Sequence, residues 1–317
     1  MIFVLLIPEI IDRIYEDYFR RGSAEDPRPH LGASMLGKKC ARALWFEFRW
    51  VGSFFDGRLY RLFETGKLEE PRLRRDLRRA GIKFGRIPAS KPLYGFIDGT
   101  PDEVGTGFPE APKKRHVVEF KTHSEWSFKS LVSKGVREAK REHYIQVQVY
   151  MHLKKIDRAI YLARNKNTDE LYYERIKYEK EVAEEAIERA RQILFAPRPE
   201  KALSKSDPEC RYCSFRRVCH EGGSPRRTCR SCIHATPSPD GRFRCERHNR
   251  DLPYRAQLEG CGDHLFVPDT LPYGEPIEAS EEGVTYRDAG GNLIINERGG
   301  TFRRVYATDS GSDSSSA

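Results

Sequence analysis

Gly95-Phe96-Ile97-Asp98-Gly99 and, beyond a Pro/Gly-rich interval, His116-Val117-Val118-Glu119-Phe120-Lys121-Thr122 are the stretch that decides the fold. The second piece reads as a strand, because Val117, Val118 and Phe120 are β-formers. Strand side chains alternate faces, so Glu119 and Lys121 share one surface while Val118 and Phe120 take the other. Leu93 to Ile97 reads as a second short strand, ending at Asp98. Between the two, Thr100 to Lys114 holds Gly105, Gly107, Pro109 and Pro112 and reads as a loop. A hairpin closed by that loop would set Asp98 beside Glu119. Two carboxylates with a lysine suit a divalent cation and a phosphodiester. Carboxylates hold hard Mg²⁺ or Mn²⁺, the metal activates water, and the lysine orients that water or helps to deprotonate it. An E-x-K pair on a strand is also a common solvated ion pair.

The chain has 317 residues, 38% hydrophobic and 32% charged, with 56 basic against 47 acidic side chains and a net charge of +9. That composition fits one larger domain plus a small one. Moderate basicity permits nucleic-acid binding without requiring it. The start, Met1 to Pro8, is a short apolar run with no basic segment before it, and Glu9, Asp12 and Arg13 end it. It reads as neither a signal peptide nor a membrane span, and the expected setting is cytosolic.

From the N-terminus, Ile10 to Arg20 has helical spacing, and Met35 to Phe48 reads as a helix carrying Cys40. Asp56 is placed to cap a helix that runs to about Ala80, with a kink or break expected near Glu70 because of Pro71. Its back half carries Arg72, Arg74, Arg75, Arg78 and Arg79, followed by Lys83 and Arg86. This run is a solvated face or a phosphate track. Either Glu69 or Glu70 is positioned to lean toward a metal. Helices are expected from Ser124 to Ser133 and from Glu138 to Lys154, and Gln146 and Tyr150 share a face of the latter. Strands over Arg158 to Ala163 and Leu171 to Lys177, then a helix from Glu179 to Phe195, complete an α/β core with a small mixed sheet. Val284 to Ile295 reads as a hairpin, and the Ser/Gly/Asp end as a disordered tail.

Eight cysteines occur, and two C-x-x-C pairs in a cytosolic chain point to metal instead of disulfides. Cys210, Cys213 and Cys219 supply three thiolates for a zinc site or an iron–sulfur cluster, with Cys40 or His220 as candidates for the fourth ligand. Cys229, Cys232, Cys245 and Cys261 form a second set in a segment too small to have much core. There His248 and His264 compete with Cys261 for the last position, and Zn²⁺ would supply stability.

The ordered set of motifs resembles the PD-(D/E)XK nuclease superfamily, in its RecB-like exonuclease branch with an iron–sulfur clip, to which the nuclease of CRISPR adaptation and phage recombination exonucleases belong. The resemblance covers about Gly32 to His220. Gly32 to Cys40 looks like the segment supplying the first cluster cysteine, and Cys210, Cys213 and Cys219 look like the other three, which implies a 4Fe–4S cluster. Gly66-Lys-Leu-Glu-Glu70 looks like the first motif, which selects Glu70 over Glu69. The histidine that phage members carry after that glycine is Lys67 here. Asp98 matches G-x-x-D, Glu119 and Lys121 match E-x-K, and Gln146 and Tyr150 match Q-x-x-x-Y.

The resemblance implies a restriction-endonuclease-like α/β core, a central mixed sheet flanked by helices. It implies Asp98 and Glu119 as main metal ligands, the Phe120 carbonyl assisting, and Glu70 nearby. The expected domains are an N-terminal helical segment over 1–31, the nuclease domain over 32–222, a zinc-binding module over 225–268, a small β-rich segment over 269–308 and a tail over 309–317. The implied activity is Mg²⁺- or Mn²⁺-dependent hydrolysis of DNA by an exonuclease of recombination, repair or phage DNA processing, with DNA as partner, no membrane, and room for a single-strand annealing protein or a helicase. An endonuclease on the same fold and a non-catalytic DNA-binding scaffold are the alternatives. The setting it implies is the cytoplasm of a bacterial or phage-infected cell.

Overall fold

The computed structural model describes residues 8–200, 202–271, 273, 276–288 and 290–305, so the apolar start and the Ser/Gly/Asp tail fall outside the described residues. The chain forms two units: one made of the residues up to Cys40 with Phe54–Leu194 and Pro239–Gly241, the other of Ala41–Ser53, Phe195–Ser238 and the residues from Arg242 on.

In the first unit, helix α1 (Pro8–Ser23) precedes strand β1 (Leu31–Gly32). Helix α2 (Ala41–Phe48) belongs to the second unit, and α3 (Gly57–Arg79) returns to the first. Asp56 caps α3 by accepting from the Leu59 amide at 2.7 Å. α1 packs on α3 so closely that a Cβ at Gly57 would lie 1.8 Å from the Tyr15 carbonyl oxygen. The helix runs unbroken through Pro71, contrary to the break expected there. Leu73, beyond the proline, is fully buried with Ile82, Phe108, Val118, Phe120, Ile160 and Leu162, and Leu77 packs against the same cluster. Burial contributes about 1.5–3 kcal/mol per large apolar side chain. Two leucines therefore offset the roughly 3 kcal/mol that an interior proline costs.

Strands β2 (Lys83–Phe84), β3 (Ile97–Asp98), β4 (Glu103–Thr106) and β5 (His116–His123) follow. Helices α4 (Glu125–Ala139) and α5 (Arg141–Lys154) cross over to β6 (Arg158–Asn165), and β7 (Leu171–Lys177) and α6 (Lys180–Leu194) complete the unit. The sheet order is β2-β4-β5-β6-β7. β5 and β6 are parallel and the other neighbours antiparallel, so the sheet is mixed, and helices flank it. α4 extends past the expected end at Ser133, with a break at Gly135 (φ +73°), where the Val136 amide donates to Glu174 at 2.8 Å.

The hairpin partner of β5 differs from expectation. β4 pairs with it, Glu103 opposite Val118 and Val104 opposite Val117. β3 instead runs parallel to β1, placing Asp98 opposite Gly32. Leu93 meets only Ile97, across a tight turn. β4 was hidden within an apparent loop because Gly105 and Gly107 interrupt the run just after Val104.

In the second unit, α7 (Pro208–Arg211) and α8 (Arg216–His220) carry Cys210 and Cys219. Strands β8 (Ala235–Pro237), β9 (Phe243–Cys245) and β10 (Arg250–Leu252) form a small antiparallel sheet followed by α9 (Tyr254–Gln257). β11 (Pro276–Ala279), β12 (Gly283–Arg287), β13 (Leu293–Glu297) and β14 (Thr301–Val305) form an antiparallel meander around the expected hairpin. Two buried arginines tie α2 to this unit. Arg49 donates to the Ala235 carbonyl at 2.6 Å, and Arg230 donates to the Phe48 carbonyl at 3.2 Å. The Arg230 guanidinium also lies 3.9 Å from the Trp50 ring centroid. No helix among the described residues is long and apolar enough to cross a membrane.

Candidate active site

β5 lies inside the sheet, so each of its faces is covered. Val118 and Phe120 enter the apolar cluster under α3. Glu119 and Lys121 face the other way, and Lys121 Nζ pairs with Glu119 Oε1. On α5, Gln146 and Tyr150 are one turn apart. The Gln146 side-chain amide donates to Glu119 Oε1 and to the Tyr150 hydroxyl, each at 2.9 Å. One amide thus fixes the rotamer of the carboxylate and of the tyrosine together.

Asp98, expected as the second acid, makes its hydrogen bonds away from β5. Asp98 Oδ1 accepts from the Gly99 amide at 2.8 Å and from Ser90 Oγ at 3.1 Å, and Lys154 Nζ donates to the same serine at 2.7 Å. That is a turn-fixing network. Asp102, which immediately precedes β4, lies beside β5 instead, with its Oδ2 accepting from the Phe120 amide at 2.7 Å. Glycine is required at the turn between them, since a Cβ at Gly99 would approach the Tyr150 ring to 2.5 Å. The N–H and C=O of one strand residue leave along the same edge, so the Phe120 carbonyl is directed to the Asp102 side as well.

Glu70 completes the group from α3. Its carboxyl is raised above the ordinary range by burial and by Asp102, with Lys121 opposing. Glu69 turns away to Arg164 at 2.8 Å. Asp102 is also raised by burial, against Lys121 and the Phe120 amide. Glu119 is 1% exposed, and burial lifts its carboxyl to about 7, with Asp102 and Glu70 adding to the effect that Lys121 counters. Burial alone would lower the Lys121 ammonium, but Glu119 and Asp102 hold it above its usual value. Glu119 Oε2 is buried and has no hydrogen-bond partner among the described residues. A buried carboxylate oxygen without a donor is costly unless a cation meets it. Together with two more carboxylates and a free-facing carbonyl, it makes a donor set that fits Mg²⁺ or Mn²⁺.

Glu70 and Lys121 open onto a cleft of about 890 Å³ whose rim is net basic, with Lys39, Lys67, Lys140, Arg141 and Lys166 against Glu138 and Glu142. The arginine run on α3 is largely engaged elsewhere: Arg72 with Asp169 at 2.6 Å, Arg74 with Glu103, and Arg78 over the Phe84 ring.

None of the eight cysteines, all among the described residues, is in a disulfide. Cys210 Sγ lies 3.9 Å from His220 Nε2, and Arg42 Nη1 lies 3.9 Å from Cys219 Sγ. Cys40 belongs to the first unit, and Cys210, Cys213 and Cys219 to the second. Cys229, Cys232, Cys245 and Cys261 line one small cavity with His234, His248 and Asp263. Burial and the other three sulfurs push the Cys229 thiol up to about 11. His248, Cys261 and Asp263 offer ligand atoms within 4.8 Å of one another. Asp263 Oδ1 pairs with Arg298, and its Oδ2 lies 3.2 Å from His248 Nε2. His264 also lines the cavity, with its Nε2 3.0 Å from the Thr228 carbonyl.

No curated protein sequence matches the chain. Among solved structures it is similar to an alkaline exonuclease, LHK-Exo, from Laribacter hongkongensis, at 15% identity and TM-score 0.40 over 56% of this chain and 90% of that one. It is similar to the same enzyme in complex with dAMP at 14% and 0.38, and to SSO0001 at 16% and 0.42, over 69% of this chain and 98% of that one. The family profile described as PD-(D/E)XK nuclease superfamily matches residues 9–220, which span α1 to α8 and every acidic and lysine residue gathered above. With its mixed sheet and its carboxylates grouped around one lysine, the chain belongs to the PD-(D/E)XK nuclease superfamily.

Proposed function

We propose that the protein is a Mg²⁺- or Mn²⁺-dependent deoxyribonuclease that acts as an exonuclease in DNA recombination, repair or phage DNA processing. The observation that carries this reading is the unpartnered Glu119 Oε2 within a group of three acids beside Lys121. Glu70, Asp102, Glu119 and the Phe120 carbonyl would hold the metal. Once bound, the metal supplies an activated water and offsets charge on the phosphate. Lys121 orients that water and faces the scissile phosphate. Gln146 holds Glu119 and Tyr150 in place, and the basic rim of the cleft receives the DNA backbone. The cysteines add two structural centres: an iron–sulfur cluster held by Cys210, Cys213 and Cys219, and Zn²⁺ on Cys229, Cys232, Cys245 and Cys261. Both suit a reducing cytoplasm.

The test is cleavage of matched linear and covalently closed circular DNA by anaerobically purified protein with Mg²⁺ or Mn²⁺. Degradation of linear DNA with intact circles is expected. Cutting of circles would replace the exonuclease with an endonuclease. No cleavage, with DNA still bound, would leave a binding scaffold. Glu119→Ala should abolish cleavage and keep both cysteine-bound centres.

A further inference from the structure

The cleft carries a second set of titratable groups that the scheme above leaves unused. His123, four residues after Glu119 on β5, lies on the same face and is buried. Tyr161 on β6 stands opposite Glu119 in the strand register and is fully buried. His143, one turn before Gln146 on α5, lines the cleft next to Lys140.

These side chains form one continuous row. Lys140 Nζ lies 2.5 Å from Ser127 Oγ, which lies 3.2 Å from His123 Nδ1. His123 Nε2 lies 2.9 Å from the Tyr161 hydroxyl, and that hydroxyl lies 2.8 Å from His143 Nδ1. The two imidazoles stack with centroids 5.7 Å apart.

The row can run in either direction, according to the tautomers of its two imidazoles. In the direction that ends on a donor in the cleft, Ser127 Oγ accepts from Lys140 and donates to His123 Nδ1. A neutral His123 then carries its proton on Nε2 and donates to Tyr161. Tyr161 donates to His143 Nδ1, and His143 carries its own proton on Nε2. Burial, with Lys140 and Lys121 nearby, keeps both rings neutral, His123 lowered to about 4 and His143 to about 3. A row that served packing alone would end on a buried acceptor. This one ends on a half-buried ring whose Nε2 meets no acceptor among the described residues.

We propose that His143 is a catalytic residue of this nuclease: its Nε2–H donates to the oxygen that leaves phosphorus, and the Lys140–Ser127–His123–Tyr161 row resupplies the proton. The role rests on the nuclease reading above. As the bond from phosphorus to the leaving oxygen breaks, its electron pair stays on oxygen, which takes the Nε2 proton of His143. His143 Nδ1 takes the Tyr161 proton, Tyr161 takes that of His123 Nε2, His123 Nδ1 takes that of Ser127, and Ser127 takes one from Lys140. Lys140 is left as a neutral amine, a form that burial favours. Once the product leaves, solvent in the cleft protonates His143 Nε2 and the protons run back along the row, which restores the Lys140 ammonium and both starting tautomers. The attacking water releases its proton to solvent, so charge balances.

The test compares the wild-type protein, His143→Gln and Tyr161→Phe on two substrates. One is ordinary DNA, and the other carries sulfur in place of the leaving bridging oxygen. A thiolate leaves without a proton, whereas an alkoxide needs one. Both variants should slow cleavage of ordinary DNA by roughly 100-fold or more and cut the sulfur substrate within a few-fold of wild type. Equal losses on the two substrates, or no loss on ordinary DNA, would overturn the role. Side-chain ¹⁵N NMR of the wild-type protein should show both histidines neutral and protonated on Nε2, and a proton on His143 Nδ1 would also overturn it. A wild-type protein inactive on both substrates would instead sink the nuclease reading, and this role with it.

Discussion

Asp98 and Asp102 are four residues apart, and each stands three residues after a glycine, at Gly95 and Gly99. Pattern alone does not separate them. The difference is where the chain turns: Asp102 meets the Phe120 amide, while Asp98 is occupied by the Gly99 amide and Ser90. One local signal was there to be used. Pro101-Asp102 spells the dipeptide in the superfamily's own name, and it abuts β4, the antiparallel neighbour of β5. Asp102→Asn should abolish cleavage and weaken Mn²⁺ binding at least roughly tenfold, since it removes a ligand charge. Asp98→Asn should keep cleavage and lower stability by about 0.5–1.5 kcal/mol, the net contribution of a hydrogen bond made by a half-buried group. Retained Mn²⁺ affinity in the Asp102 variant, with loss in the Asp98 variant, would return the ligand role to Asp98. Glu119 and Lys121 could be put on one face from strand alternation, and Gln146 and Tyr150 from one helical turn, whereas Glu70 was separated from Glu69 only by the family resemblance.

At the scale of elements, the long, strongly periodic segments were readable, and the short or interrupted ones were not. α3 was recognisable from its cap and its leucines, yet the penalty at Pro71 suggested a break that burial of Leu73 and Leu77 overrides. β4 has only four residues, two of them Val104 and Gly105, and it forms because β5 offers it an edge. α2 reads locally as part of the nuclease domain. Its Trp45, Phe46 and Phe48 are buried in the second unit instead, where Phe48 stacks obliquely on Phe243 at 5.4 Å. No local periodicity reports such a partner across nearly two hundred intervening residues. β11 and β14 were missed for a different reason: β11 is exposed along its length and β14 nearly so, so neither carries an alternating pattern.

For the whole molecule, the two sets of thiols lead to separate expectations. Anaerobically purified protein should contain both iron and zinc. Cys213→Ala should lose the iron and keep the zinc, and Cys232→Ala should do the reverse, as read by elemental analysis with thermal denaturation. Iron and zinc falling together in each variant would mean that the two sets are not independent centres. Glu119 has a global effect of another kind. Its carboxyl, at about 7 in the folded chain against 4.5 for a free glutamate, holds a proton more tightly folded than unfolded. That excess binding stabilises the metal-free fold at low pH. The contribution, on the order of 3 kcal/mol, drains away as pH rises from about 4.5 to about 7. A divalent ion at the same oxygen would make good the loss. Denaturant titrations at pH 5 and pH 8 should therefore find the metal-free protein weaker at pH 8, and Mn²⁺ should narrow the gap. Greater metal-free stability at pH 8 than an otherwise identical Glu119→Gln protein shows would contradict this. Proton and cation are rival tenants of one oxygen: acid keeps the molecule in a sturdy resting form, and neutral pH with free metal converts it to the armed one.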